Sequence, residues 1–163
     1  MSAAATVLLL ARMCAPAVDS STTLAVVSVE SSFNPYAIGV VGDALQRQPR
    51  TRAEALATIQ MLEREGYDFS VGLGQINRRN FSRLGLTAES ALDSCTSLRA
   101  LETILEECFL RAAGAHSTSQ AALRAALSCY YSGNFQTGFD HGYVDRVVRA
   151  ARTAATAAAK ERR

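Results

Sequence analysis

Apolar side chains recur at every third or fourth position along four stretches of the chain, a spacing that is typical of amphipathic helices. Thr51 and Glu54 form a capping-box pattern ahead of one stretch, and Ser117 and Gln120 form another. Glycines follow three of the stretches, where helices commonly end. The pattern predicts helices over approximately residues 51–66, 97–114 and 117–133, and from Tyr143 onward.

A short apolar run, Val7 to Ala11, precedes these stretches. It is far shorter than the roughly 20 residues that span a bilayer, and no positive residue precedes it as in a signal peptide. We interpret it as the first turns of a domain helix; a trimmed export signal is the alternative.

Residues 154–163 are alanine-rich and basic, which indicates a frayed helix end, the start of a linker or an interaction tail. The expected organisation is one domain over residues 1–153 with a tail over 154–163.

Residues 38–50 interrupt the helical pattern. Ile38 to Gly42 and Gln46 to Arg50 flank a short turn, which predicts a small hairpin or an irregular loop. Further along, two glycines enclose Leu73 in a predicted loop. The whole pattern predicts a mainly α-helical domain with one small β-hairpin-like insert.

Composition and charge exclude some classes of protein. The chain has 163 residues, which fits one domain, and its 48% hydrophobic and 20% charged residues exclude a mainly disordered state. Its 17 basic and 15 acidic residues give a net charge of +2, too balanced for a protein that binds nucleic acid through bulk charge. We therefore expect no nucleic-acid partner and no transmembrane segment.

Four cysteines are scattered along the sequence: Cys14, Cys95, Cys108 and Cys129. None forms a C-x-x-C pair, so we expect no metal site of the usual zinc spacing. Their even number is compatible with two disulfides and an oxidising compartment; the alternative is that some are small buried apolar residues. If residues 97–113 form one helix, Cys95 and Cys108 lie more than about 10 Å apart, beyond the roughly 4.4–6.8 Å between Cα atoms that a disulfide needs. That pairing is disfavoured, and the other pairings stay open.

Glu30 is the first candidate for chemistry. It lies near the end of residues 22–32, an otherwise uncharged stretch, and on a helix Val26 and Val27 are its direct neighbours. Desolvation and the negative end of the helix dipole both raise the pKa of a carboxyl placed there, and Ser31 and Ser32 are available to hydrogen-bond it. A carboxyl that is neutral near pH 7 is what a general acid requires; the alternative is a boundary glutamate that points to solvent.

Two further segments carry polar groups suited to a sugar. Ser70 to Asn77 contains two glycines two positions apart, which let backbone approach a ligand, and Gln75 and Asn77 offer donors and acceptors for hydroxyl and acetamido groups. Tyr130 and Tyr131, near the end of a predicted helix, offer a phenol and a stacking ring. Taken singly, the first segment is also compatible with an ordinary turn and the second with core aromatics.

Together the three segments resemble the soluble lytic transglycosylase family. The resemblance rests on Glu-Ser at a helix end, Gly-Leu-Gly-Gln-Ile-Asn and Cys-Tyr-x-Ser-Gly-Asn, in this order and spacing, and it extends over about residues 10–150. The chain is most similar to the branch that serves type IV secretion and conjugation machineries. The resemblance implies a lysozyme-like, goose-type helical fold, a peptidoglycan substrate, no metal or organic cofactor, and a periplasmic location, although no export signal is recognisable.

The resemblance also implies a role for each matching residue. Glu30 matches the single catalytic acid, which protonates the glycosidic oxygen between MurNAc and GlcNAc and then takes the proton of the C6 hydroxyl, so that the product is a 1,6-anhydro sugar. Tyr130 matches the tyrosine that positions this glutamate. Tyr131 departs from the family, which usually has Asn there, so an amide contact from this position is in doubt. Substrate-binding roles are implied for Ser31, Ser70, Gln75, Asn77 and Tyr130.

The implied function is cleavage of peptidoglycan that locally opens the cell wall for a type IV secretion or conjugation apparatus, whose proteins are further expected partners. Two alternatives remain. A hydrolysing muramidase commonly uses a second carboxylate; Asp43 is the candidate, with Asp68 and Asp140 weaker, and we interpret Asp43 as a solvated turn residue. The other alternative is a wall-binding assembly factor of the same fold that does not turn over its ligand.

Overall fold

The computed structural model describes residues 1–161, in which helices predominate and three short strands form one sheet. The strands are β1 (Ile38–Val40), β2 (Phe69–Val71) and β3 (Ile76–Asn77). The helices are α1 (Ala3–Cys14), α2 (Ser20–Ser31), α3 (Arg52–Arg64), α4 (Phe81–Leu84), α5 (Ala88–Ala91), α6 (Ser94–Ala113), α7 (Ser119–Ser132), α8 (Thr137–Asp140) and α9 (Tyr143–Glu161). The expected mainly helical fold with a small β insert is therefore confirmed.

Side chains at the helix starts explain where α3 and α6 begin. Thr51 accepts a hydrogen bond from Glu54 N, so α3 starts as predicted, although the Glu54 carboxylate accepts from Arg50 N and not from the cap residue. Asp93 caps α6 by accepting from Thr96 N. As a result α6 begins at Ser94, ahead of the expected start near residue 97, and already contains Cys95.

The other helix predictions concern α1, α7 and α9. The run Val7 to Ala11 lies within α1, as interpreted. Thr118 caps α7 by accepting from Ala121 N, so the capping box predicted from Ser117 to Gln120 is wrong. Helix α9 continues without a break past residue 153, and Arg162 and Arg163 of the predicted tail lie outside the described residues. The division into a domain and a tail stays a prediction.

The sheet decides between the two predictions for residues 38–50: the stretch after β1 is an irregular loop and not the second strand of a hairpin. β1 pairs antiparallel with β2, and β2 with β3, so that Gly39, Ser70 and Asn77 lie side by side. The hairpin is thus β2–β3. β1, which precedes α3 in the sequence, pairs with β2. Residues 46–50 form no strand; instead the Gln48 side chain accepts from Ile38 N (2.8 Å) and donates to Ile38 O (2.9 Å). A side-chain amide has the donor and the acceptor of a peptide group, so Gln48 replaces a strand partner.

Two apolar clusters support the fold. One forms where α1, α2, α6, α7 and α9 meet, and it contains the fully buried Val26 and Val27. The other forms where α3, α4 and α5 pack on the sheet, and it contains the fully buried Ile59 and Phe69. Helix α6 contributes side chains to both clusters. The end of α2 and the sheet therefore each have their own apolar support.

Two disulfides join helices of the first cluster. Cys14–Cys95 links the end of α1 to the start of α6, and Cys108–Cys129 links α6 to α7. The prediction that Cys95 and Cys108 do not pair is confirmed, since both lie on α6 and each has another partner. Residues 1–161 hold no free cysteine. Over the same span, no helix combines the length and the apolar character that crossing a bilayer demands.

Candidate functional site

Glu30 lies on the last turn of α2, half-buried, and lines a pocket. The Tyr143 hydroxyl, at the start of α9, donates to Glu30 Oε1 at 2.6 Å. Burial raises the pKa of Glu30 from its ordinary value of 4.5 to about 7, although the hydrogen bond from Tyr143 and the positive charge of Arg146 act in the opposite direction. The expected upward shift is therefore present. A large fraction of Glu30 is protonated at neutral pH, as a general acid requires.

The backbone turns sharply just after Glu30. Ser32 (φ +50°) and Phe33 (φ +64°) both adopt the left-handed region, which costs a non-glycine residue roughly 1–2 kcal/mol. The ring of Phe33 packs on the first apolar cluster, which offsets part of this cost. Gln75 (φ +48°) is the third such residue in the described part of the chain, and it also borders the pocket. Among residues 1–161, left-handed backbone outside glycine thus occurs in the segment that follows Glu30 and at the pocket-lining Gln75.

The pocket has a volume of about 360 Å³ and lies between the sheet and helices α6 and α7. It brings together five of the six predicted site residues: Glu30, Ser70, Gln75, Asn77 and Tyr130. Ser31 is not one of the lining residues. Its side chain is buried and its hydroxyl donates to Val27 O within α2 at 3.1 Å, so it does not hydrogen-bond Glu30 as its neighbourhood in sequence suggested. The substrate contacts of these residues stay predictions.

Polar side chains of the sheet hold one wall of the pocket in shape. The Asn77 amide donates to Asp68 Oδ1 at 2.8 Å and to Ser70 Oγ at 3.3 Å. Its carbonyl oxygen accepts from Arg79 N at 3.0 Å. The amide hydrogens of Asn77 are therefore bound within the protein, where they order this wall of the pocket. The Ser70 hydroxyl has no acceptor among the described residues, so its hydrogen is available to a ligand.

Gln75 fastens the turn between β2 and β3 to β1. Its amide nitrogen donates to Ala37 O at 2.9 Å and to Gly72 O at 3.1 Å. A Cβ at Gly39 would lie 2.7 Å from Gln75 Oε1, so glycine at position 39 makes room for this side chain. Gln75 thus shapes the pocket through its contacts with the protein.

The two tyrosines beside Glu30 have different partners. Tyr130, which the family resemblance matches to the positioning tyrosine, donates to Gly74 O at 2.5 Å. The direct hydrogen bond to Glu30 comes from Tyr143, and the positioning role of Tyr130 stays a prediction. Sequence reasoning missed Tyr143 as a site residue. It placed Tyr143 at a helix start, but no spacing rule connects two residues that are 113 positions apart.

The three aspartates considered as a second carboxylate lie in different places. Asp43 is exposed and accepts from Ala44 N, so its interpretation as a solvated turn residue is confirmed. Asp140 is also exposed and accepts from Gln136. Asp68, ranked below Asp43 from the sequence, lines the pocket together with Glu30. Across residues 1–161, no three histidine, cysteine, aspartate or glutamate side chains come together as a metal site would need.

Comparison with known proteins finds relatives over most of the chain. Residues 8–149 match the family model described as Transglycosylase SLT domain. The chain is 49% identical over 150 residues to the type IV secretion system protein virB1 of Brucella abortus, which covers 88% of this chain and 63% of that protein. It is 44% identical over 147 residues to protein virB1 of Rhizobium radiobacter (88% and 59%) and 42% identical over 145 residues to protein virB1 of Agrobacterium fabrum (86% and 57%).

The length of the match limits what these relatives say about the chain. The chain spans less than two thirds of the length of these curated relatives. No solved structure gives a significant match. The family match therefore applies to the domain over residues 8–149.

Proposed function

Because the chain belongs to the Transglycosylase SLT domain family, we propose that it is a peptidoglycan lytic transglycosylase whose catalytic acid is Glu30. The resemblance seen in the sequence, and the lysozyme-like fold that it implied, are confirmed by this membership. The observation that carries the proposal is a half-buried carboxyl that lines a pocket, is held by one tyrosine, and has a pKa of about 7.

The reaction needs one carboxyl that acts twice. Protonated Glu30 donates its proton to the glycosidic oxygen of the β-1,4 bond between MurNAc and GlcNAc, and the bond breaks with its electron pair on that oxygen. The carboxylate then accepts the proton of the C6 hydroxyl of MurNAc, whose oxygen bonds to C1. A 1,6-anhydro ring forms, Glu30 is protonated again, and no water is consumed.

The contacts of Glu30 suit both halves of this cycle. Tyr143 holds Oε1, while Oε2 has no hydrogen-bond partner among the described residues and can serve the substrate. The tyrosine donates, so it stabilises the carboxylate that forms after the first proton transfer. Burial favours the protonated form that begins the cycle. A pKa of about 7 lets the same group give and take a proton.

The relatives support a place for this activity in secretion. Those described above carry the name virB1, and that of Brucella abortus is named as a type IV secretion system protein. We propose that the chain opens the wall locally for such an apparatus and contacts its proteins. Two disulfides in the fold support an oxidising compartment, which for a peptidoglycan enzyme is the periplasm.

A hydrolysing muramidase is the second candidate function, because Asp68 lines the same pocket. In that case Asp68 would act as the second carboxylate and water would end up in the product. Its hydrogen bond from Asn77 and its exposure favour a structural role, so the transglycosylase is the better supported function.

Digestion of purified sacculi tests the proposal. We expect the wild-type protein to release muropeptides with anhydro ends, which mass spectrometry detects because they are about 18 Da lighter than hydrolysed ends. Glu30→Gln removes the proton donor and should end release, whereas Glu63→Gln, an exposed position on α3, should not.

Two results would contradict the proposal. Hydrolysed ends from the wild-type protein would favour the muramidase. Binding of sacculi without release of sugars would favour a wall-binding assembly factor.

A further inference from the structure

Tyr131 lines the pocket and is 38% exposed. We propose that Tyr131 is a positioning residue, whose ring stacks on Tyr143 and thereby keeps the Tyr143 hydroxyl on Glu30. The inference rests on the proposed function, because it concerns the acid of that reaction.

The Tyr131 ring contacts the rings of Tyr143 and His141. The rings of Tyr131 and Tyr143 are nearly parallel, at 18°, with centroids 4.6 Å apart. The Tyr131 hydroxyl lies 3.0 Å from His141 Nδ1. The rings of Tyr131 and His141 meet edge to face, with centroids 5.7 Å apart. Tyr131, on the last turns of α7, is therefore held by the segment that starts α9. Its orientation is set by the protein before any ligand arrives.

Tyr143 needs support because its hydroxyl must stay on Glu30. The brace is the Tyr131 ring that stacks on it. Tyr143 is 1% exposed, and its hydroxyl sits at the far end of the ring, so a small tilt of the ring moves it away from Glu30 Oε1. Catalytic groups must be held within about 0.5 Å and 10–20° of their working geometry. Arg146 lies over the Tyr143 ring at 5.9 Å and donates to His141 O at 3.1 Å, which ties the same turn together.

The stack of Tyr131 on Tyr143 acts on Glu30 through the Tyr143 hydroxyl. An Asn at position 131 has no ring to lay against Tyr143, so this support comes with the tyrosine. The charged and titratable groups that act on Glu30 are Tyr143, Tyr130 and Arg146. The hydrogen bond from Tyr143 lowers the pKa of Glu30 against the effect of burial. Loss of the brace should therefore raise that pKa.

Four variants test the role of the ring: Tyr131→Phe, Tyr131→Ala, Tyr143→Phe and the double variant Tyr131→Ala/Tyr143→Phe. Tyr131→Phe keeps the stack and should retain kcat within about threefold. Tyr131→Ala should lower kcat about tenfold or more, with KM within about threefold, because a displaced acid slows the chemical step. Both Tyr131→Ala and Tyr143→Phe should also move the alkaline limb of the kcat–pH profile upward, because the hydrogen bond from Tyr143 lowers the pKa of Glu30.

The double variant separates positioning from other roles. If Tyr131 acts through the Tyr143 hydroxyl, adding Tyr131→Ala to Tyr143→Phe should change kcat by less than about twofold. Additive losses would overturn the inference. A higher KM with unchanged kcat would do the same, because it would make Tyr131 a sugar contact only.

Two further measurements keep failures distinguishable. An NMR titration of Glu30 reads its pKa without turnover, and an unshifted pKa in Tyr131→Ala would count against the brace even if the protein released no sugar. Wild-type protein that yields no anhydro ends contradicts the proposed function, whereas active wild-type and equally active Tyr131→Ala contradict only this inference. Should the alanine variant unfold, Tyr131→Leu supplies apolar bulk without a flat ring and is expected to behave as described for alanine.

Discussion

The helical side and the sheet side of the pocket are built in different ways. On the helical side, Glu30 lies on the last turn of a helix in which its valine neighbours are fully buried, and two disulfides join the surrounding helices. On the sheet side, the strands have two or three residues, and the side-chain amides of Gln48, Gln75 and Asn77 make hydrogen bonds that hold them. Apolar burial therefore governs the protonation of the acid, whereas polar contacts govern the shape of the wall that faces it.

The largest effect should separate the two carboxyls of the pocket. Glu30→Gln should lower kcat about 10³-fold or more, since general acid catalysis contributes roughly 10²–10⁴-fold. Asp68→Asn should retain kcat within about threefold, because an amide oxygen still accepts the hydrogen bond from Asn77. Initial rates of muropeptide release from sacculi check both. An equally inactive Asp68→Asn would place a catalytic carboxylate on the sheet side and favour hydrolysis.

Stability should depend on the helical side more than on the sheet side. Replacing Cys14 and Cys95 by serine opens a loop with a sequence separation of 81, which should cost about 4–5 kcal/mol of unfolding free energy. Gln48→Ala removes two hydrogen bonds of β1 and should cost about 1–2 kcal/mol. Urea denaturation under non-reducing conditions measures both. Equal losses would mean that the sheet is as important to stability as the disulfide-linked helices.

The pH dependence of stability should show the cost of burying Glu30. Its folded pKa of about 7 lies above the ordinary value of 4.5. Between these values the folded state holds a proton that the unfolded state has lost, so stability falls as pH rises through this window. The contribution is about 3 kcal/mol once pH exceeds the folded pKa. Denaturation of wild type and Glu30→Gln at about pH 4 and pH 8 should show a smaller loss in the variant; identical losses would disprove this origin.

The smallest effect on activity should come from a substitution in the sheet side of the pocket. Gly39→Ala places a Cβ 2.7 Å from Gln75 Oε1 and should push that side chain out of its contacts with Ala37 O and Gly72 O. We expect KM to rise about three- to tenfold with kcat within about twofold, because Glu30 is supported from the other side. Gly114→Ala, with no neighbour closer than 3.9 Å, is the matched control. A fall in kcat at unchanged KM would show that the two sides are not independent.

Local patterns were enough to predict the longer helices and the apolar surroundings of Glu30. The helical position of Glu30, its valine neighbours and its raised pKa all follow from residues within one turn of it. Likewise, the exclusion of a Cys95–Cys108 pair needed only the rise of one helix. Each of these predictions depends on contacts between residues that are close in the chain, where geometry is nearly independent of the rest of the fold.

Contacts between distant segments were beyond the reach of the sequence. The partner of β1 lies past the whole of α3, so of the two predictions for residues 38–50 the irregular loop is confirmed and the hairpin is wrong. Tyr143 reaches Glu30 only because α9 packs on α2. The choice of Cys14 for Cys95 similarly depends on how α1 packs on α6. In each case the deciding information is tertiary packing, which periodicity does not contain.

The left-handed backbone at Phe33 has a consequence for anyone who engineers a more robust form of this protein. Glycine is the usual remedy at such a position, since it adopts this conformation without strain. Here glycine would remove an aromatic ring that packs against the first apolar cluster and would loosen the chain three residues after Glu30. Stabilising substitutions should therefore be sought on the exposed faces of α3 and α9, and the Ser32–Phe33 corner should be kept as it is.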